Sequence, residues 1–175
     1  MPEDVMSQPL RLSGIVEESI VDGPGLRYVL FTQGCPHRCR GCHNPQTHSF
    51  EGGFLFTAKA ALEQFDGNPL LAGVTLSGGE PFLQAAPLYA VAQGVHERGK
   101  TVVTYTGYTF ETLQEMAVHD PWITRLLDLT DLLIDGPYVE ELRDMELRFR
   151  GSSNQRLLDR SERKRLVAGL PVFTT

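Results

Sequence analysis

Arg27-Tyr28-Val29-Leu30-Phe31-Thr32 runs through Gln33 directly into Gly34-Cys35-Pro36-His37-Arg38-Cys39-Arg40-Gly41-Cys42-His43-Asn44-Pro45. The first segment is rich in β-branched and aromatic residues and predicts a strand. The second holds all three cysteines of the chain. Three thiols in one loop can converge on one metal centre. A disulfide framework would use an even number of cysteines, spread along a short secreted chain. A closed structural zinc site would need a fourth ligand, for which His37 and His43 stand in the same loop. Three thiolates also suit an iron–sulfur cluster, with one iron left open to an outside ligand. On spacing alone both metals remain open. Gly34 and Gly41 allow the backbone to curl closely round such a centre, because glycine tolerates positive φ. Backbone amides in that loop can donate to sulfur and tune the metal.

Outward from this loop, the chain alternates. Upstream, Leu10 to Ile20 predicts an early strand, and Asp22-Gly23-Pro24-Gly25 reads as a turn by composition. Downstream, Thr57 is a helix N-cap, followed by Ala58, Ala61, Leu62 and Phe65 on one face. Val74-Thr75-Leu76 is a short buried strand stopped by Ser77-Gly78-Gly79-Glu80-Pro81. A helix opens near Pro87 and stops at Gly99. Thr101 to Thr104 is a strand ending in Tyr105-Thr106-Gly107-Tyr108. Thr109 caps a helix, and Asp120-Pro121 starts another. Leu132-Leu133-Ile134 is a strand broken at Asp135-Gly136-Pro137. Glu140 to Arg150 reads as a charged helix or loop, Arg150 to Arg156 as a polar stretch, and Ser161 to Leu166 as a short basic helix. Pro171 to Thr174 reads as a last strand or a tail.

Such alternation implies βαβ units and a parallel sheet with covered faces. The chain has 175 residues, and a closed eight-fold barrel needs about 250. The expectation is one α/β domain over residues 1–175, a partial, open parallel β/α barrel. Its core spans about 13–156, with 1–9 disordered. Ligands in such folds sit at the C-terminal ends of the strands. The Cys loop, Ser-Gly-Gly-Glu, Thr-Tyr-Thr-Gly and Asp-Gly-Pro each follow a strand, so four loops share one mouth.

The chemistry of those loops is specific. Gly78, Gly79 and Glu80 offer backbone carbonyls and a carboxylate that can receive an ammonium group, or a plain strand-ending turn. Asp135 binds a cation or hydroxyls, or caps a turn. His48, His96 and His119 show no ligand spacing. The formal net charge of −6 argues against a nucleic-acid partner. No apolar run spans a bilayer, and Met1-Pro2-Glu3-Asp4-Val5 has no signal-peptide pattern. Unpaired thiols then make the reducing cytoplasm the expected compartment.

The pattern Cys35-x-x-x-Cys39-x-x-Cys42 resembles that of the radical S-adenosylmethionine (SAM) enzymes. Asp22-Gly23-Pro24-Gly25-Leu26-Arg27, Phe31, Gly34-Cys35 and Cys42-His43-Asn44-Pro45 narrow the resemblance to the glycyl-radical-enzyme activases. Ser77-Gly78-Gly79-Glu80-Pro81 is similar to their second motif. Thr106-Gly107-Tyr108, Ile134-Asp135-Gly136-Pro137-Tyr138 and Arg150-Gly151-Ser152-Ser153-Asn154-Gln155 resemble the branch serving anaerobic ribonucleoside-triphosphate reductase. The match preserves order over about residues 13 to 156.

The resemblance implies a radical SAM fold and a 4Fe-4S cluster held by Cys35, Cys39 and Cys42. It implies that the fourth iron chelates S-adenosyl-L-methionine, with Glu80 and the backbone of Gly78 and Gly79 on its amino group. Gly41, Cys42 and His43 would pass near the adenine, and Asp135 would join the cofactor site. The reaction implied is reductive cleavage of SAM. The 5′-deoxyadenosyl radical then takes hydrogen from a glycine of the large subunit of anaerobic ribonucleotide reductase. Asp22 and Gly23 are candidates for contacting that glycine loop. A flavodoxin or ferredoxin is the implied electron donor; neither nucleic acid nor membrane is implied as a partner. A radical enzyme acting on a small molecule and a non-catalytic zinc module are the alternatives. His43 and His48 stand where this branch often has aromatics. Thr104-Tyr105 replaces an Asp-Thr pair that supports a monovalent-cation site in a related activase, so that site is not expected. The tail beyond Arg156 carries no motif.

Overall fold

The structure is a computed structural model and describes residues 3 to 172. Strands β1 (Leu10–Ser19), β2 (Arg27–Thr32), β3 (Phe54–Phe56), β4 (Gly73–Gly78), β5 (Thr101–Tyr105), β6 (Leu132–Asp135) and β7 (Arg156–Asp159) form one sheet, in the order β3-β1-β2-β4-β5-β6-β7. The central strands β2, β4, β5 and β6 are parallel, as the alternation predicts. Both flanks are antiparallel: β1 pairs with β2 and β3, and β7 with β6. The parallel core expected from sequence is thus flanked by antiparallel margins. The two short outer strands, β3 and β7, pair there with no helical crossover.

The parallel strands are added in one direction across the sheet. Right-handed crossovers of that kind place all their helices on one face. Helices α2 (Ala58–Asp66), α3 (Ala85–Glu97), α4 (Phe110–Met116) and α5 (Pro121–Leu129) do so. Their Leu62, Phe65, Leu88, Val91, Leu113 and Ile123 meet Tyr28, Leu30, Val74, Leu76, Val102 and Leu133 of the strands in one core. Each buried aliphatic or aromatic side chain contributes about 1.5–3 kcal/mol relative to an exposed one. Local chemistry sets the helix starts. Thr57 Oγ1 accepts from the Ala60 amide, Thr109 from Thr112, and Asp120 from Trp122 ahead of Pro121. This one-sided cover leaves the opposite face to form the inside of an open, partial barrel.

Glu3–Ser7 forms helix α1, which lies against α3 with Val5 in the core. Met1 and Pro2, also within the 1–9 segment expected to be disordered, lie outside the described residues. The core also runs past 156, since Leu158 of β7 is buried and α6 (Arg160–Val167) anchors through Arg163. That guanidinium donates to the carbonyls of Leu127, Thr130 and Leu158. Glu140–Leu142 is a single 3-10 turn within an irregular loop. Pro171 and Val172 are not strand, and Phe173 and Thr174 lie outside the described residues. No helix among the described residues is long and apolar enough to cross a membrane.

At the N-terminal ends of the strands the inner face is closed by Arg27, which is 1% exposed. Its guanidinium donates to the carbonyls of Pro24, Val74 and Thr101 and to the hydroxyls of Thr75 and Thr101. Burial lowers its pKa to about 10. The Thr75 hydroxyl in turn donates to the Asp22 carbonyl, drawing the 22–25 turn onto the inner face.

Candidate cluster and cofactor site

The opposite, C-terminal end of the strands opens into a cleft of about 490 Å³. Cys35, Cys39 and Cys42 all line it. The Cys loop leaves β2, and hydrogen bonds fix both ends: Gly34 N donates to Thr47 O (2.7 Å), and Cys35 N to His48 O. Gly34 and Gly41 have φ of 103° and 75°, the positive values expected of a tight curl. Across the strand ends, Gly79 N donates to Thr32 O (2.7 Å) and Glu80 N to Gly34 O (2.9 Å). Gly136 N reaches Tyr108 O in the same way. The four loops are therefore cross-linked into one rim.

Cys35 is buried, which raises its thiol pKa above the ordinary range. Cys39 and Cys42 are partly exposed. Asn44 N donates to Cys42 Sγ (3.4 Å), the kind of amide–sulfur contact that supports a ligating thiolate. His37 lines the same cleft as the thiols but is engaged elsewhere. Its Nε2 donates to Glu80 Oε2 (2.6 Å), and its ring packs edge-on against Tyr108 at 4.4 Å. His43 instead packs against Tyr138 at 4.9 Å. The Glu80 bond engages the His37 ring and Tyr138 packs against the His43 ring, so neither is held as a fourth zinc ligand. Three soft thiolates on one cleft wall, with an amide on sulfur, fit an iron–sulfur cluster.

The remaining expected residues divide. Gly41, Gly78 and Gly79 stand at the rim, with Gly78 and Gly79 lining the cleft beside His43 and Asp22. Gly23 is buried beneath, against Val103 and Thr75. Two carboxylates are engaged elsewhere. Glu80 is 0% exposed. It accepts from Phe82 N, Thr106 Oγ1 (2.8 Å) and Gly107 N (2.9 Å) as well as from His37. Asp135 is equally buried; it accepts from Phe110 N, at the start of α4, and from the Arg156 guanidinium. Both carboxylates are thus held by protein donors at the strand ends. Period-two alternation turns the Asp135 side chain toward the helices, and Glu80 caps the turn after β4.

Sequence reasoning put the Thr-Tyr-Thr-Gly loop at the mouth and left Arg150 to Gln155 undecided between site and partner surface; it missed the contacts these segments make. Thr106 and Gly107 clamp Glu80. Tyr105, on the inner face at the end of β5, donates its hydroxyl to Phe149 O. Phe149 itself has φ of 64°. Arg150 and Gly151 then follow as the far wall, with Gly151 close against Tyr138 and His43. Only the Arg150 to Gln155 motif signalled this segment, without a role.

The comparisons with known proteins agree with this geometry. Residues 21–158 match the family model described as "4Fe-4S single cluster domain". The anaerobic ribonucleoside-triphosphate reductase-activating protein of Salmonella typhimurium is 37% identical over 144 residues, covering 78% of this chain and 90% of that protein. The protein of the same name from Escherichia coli strain K12 is 37% identical over 145 residues, with the same coverage. That of Enterobacteria phage T4 is 35% identical over 143 residues, covering 78% of this chain and 86% of its own. The chain belongs to this family of 4Fe-4S activating proteins. Among solved structures, QueE from Escherichia coli aligns with a TM-score of 0.46 at 16% identity, over 58% of this chain and 54% of that one.

Proposed function

We propose that this protein activates anaerobic ribonucleoside-triphosphate reductase as a radical SAM enzyme. Cys35, Cys39 and Cys42 would hold three irons of a 4Fe-4S cluster. Bound there, the cluster would supply the electron for reductive cleavage of S-adenosylmethionine, the chemistry by which hydrogen would be taken from a glycine of the reductase. The observation that carries the reading is the three-thiol wall at the strand ends, in a chain of the activating-protein family.

The other residues bind and position. Gly78 and Gly79 bring backbone to the cleft and suit the amino group of SAM. His43 suits the adenine side with Tyr138 behind it. Glu80 and Asp135 hold the rim from below, the first between the Cys loop and the β5 loop, the second between β6 and α4. Asp22 lines the cleft and is the candidate for contact with the incoming glycine loop. A cytoplasmic flavodoxin or ferredoxin would deliver the electron. Residues 1–175 would act as one unit.

Anaerobic incubation with a reductant, S-adenosylmethionine and the reductase should give a glycyl radical seen by electron paramagnetic resonance. Cluster assembly and SAM cleavage with no radical on the reductase would refute the substrate assignment.

A further inference from the structure

We propose that Arg150 recognises the α-carboxylate of S-adenosylmethionine. The assignment rests on the functional reading above and names a binding residue within it.

Among the described residues, Arg150 is the one Arg or Lys that lines the cleft. Its Nε is buried and has no hydrogen-bond partner among the described residues. No carboxylate forms an ion pair with it there, and the cleft's one lining carboxylate, Asp22, accepts instead from the Ser19 hydroxyl (2.5 Å). A buried cationic donor left without an acceptor is costly. A guanidinium fork matches a carboxylate, whose two oxygens accept two parallel bonds. A triphosphate would call for several cations, and only one is present.

The backbone is bent to present this side chain. Phe149 has a left-handed φ of 64°, a conformation that is strained for a bulky residue. The Tyr105 hydroxyl (2.5 Å to Phe149 O) and the stacking of Arg148 on the Phe149 ring at 4.6 Å hold it. On the other side, Arg150 Nη1 donates to Gln155 O (2.7 Å), and Gln155 Oε1 accepts from Gly151 N and Ser152 N. Gln155 Nε2 donates to Gly136 O, at the end of β6. Arg150 is thus fixed in the wall of the cleft that the three cysteines share, with its Nε unpartnered among the described residues. The carboxylate-bearing ligand that belongs at the cluster is the methionine portion of SAM.

The test is anaerobic equilibrium dialysis of cluster-reconstituted protein against S-adenosylmethionine and against its decarboxylated analogue, which keeps the amine, sulfonium and adenosine. Arg150→Gln should weaken SAM binding by about tenfold or more. It should leave the analogue within about twofold of wild type, with iron and sulfide content unchanged. Tyr105→Phe, which removes the pin but keeps the arginine, should give a smaller loss confined to SAM, and it carries the test should Arg150→Gln fail to fold. Equal losses for both ligands, or no loss for either, would overturn the assignment. So would unchanged SAM binding with weakened reductase binding, which would pair Arg150 with an acidic residue of the reductase. Wild-type protein that carries a cluster but binds no SAM would instead overturn the activase reading itself.

Discussion

His37 Nε2 lies 2.6 Å from Glu80 Oε2, although 43 positions separate the two residues in the chain. That bond joins the middle of the Cys loop to the turn after β4. Through Thr106 and Gly107, Glu80 extends the link to the turn after β5. Its carboxylate is a buried junction of three loops, and removing it should loosen all three.

Glu80→Ala should therefore destabilise the fold by roughly 2–4 kcal/mol, because it strands several buried donors. Cluster occupancy should fall with stability. Thermal unfolding with iron quantification checks this. A variant with wild-type melting and iron content but weak SAM binding would show that Glu80 contacts the ligand.

Gly79→Ala tests the seam between the Cys loop and β4. An added Cβ would stand 2.3 Å from Gly34 O, a backbone atom that cannot move aside alone. The Cys loop must shift, at a cost of about 1–3 kcal/mol for such overpacking. Reduced iron uptake on reconstitution, together with a lower Tm, is the expected pair of changes.

Cys39→Ser should reduce iron from about four per chain to under one after anaerobic reconstitution, since thiolates select the cluster. Cys39 is half-buried in a loop, so far-UV circular dichroism should be unchanged.

Acid should weaken the fold partly through Glu111. The Arg156 guanidinium, by hydrogen bonding, holds that carboxyl below the usual range. A depressed folded pKa gives stability that is present above the unfolded value, about 4.3, and lost as pH falls through the folded value. Asp66 beside Arg98 contributes with the same sign, so a difference measurement is needed. Glu111→Gln should narrow the drop in Tm between about pH 6 and pH 3. The effect should be small and salt-dependent, because Glu111 is 52% exposed. A drop as large as in wild type would refute the contribution.

The parallel strands and their helices were readable because each signal is local. β2 is a dense β-branched and aromatic run, and Thr57, Thr109 and Asp120 cap as their residue types predict. The outer strands were not. Phe54–Phe56 has three residues, and Arg156–Asp159 has charged ends. Such strands exist by virtue of the partner they pair with, and pairing leaves little trace in a short segment. The site divides in the same way. The cysteines declare themselves by chemistry. The inward turn of Glu80 and Asp135 depends on contacts with Thr106, Gly107, Phe110 and Arg156, far away in sequence. Arg150 depends on a left-handed residue that nothing in Phe149 itself announces.

Arg27, with every donor satisfied at the base of the strands, has a kinetic consequence. The cleft at the opposite end of the strands is then the entrance. Under the proposed function, the small cofactor and the protein substrate must queue for it. S-adenosylmethionine enters first, the reductase loop closes the entrance behind it, and methionine and 5′-deoxyadenosine leave after the loop withdraws. Each docking event then yields at most one radical. Excess reductase should slow the escape of 5′-deoxyadenosine, as measured by rapid filtration; release at an unchanged rate would mean a second exit.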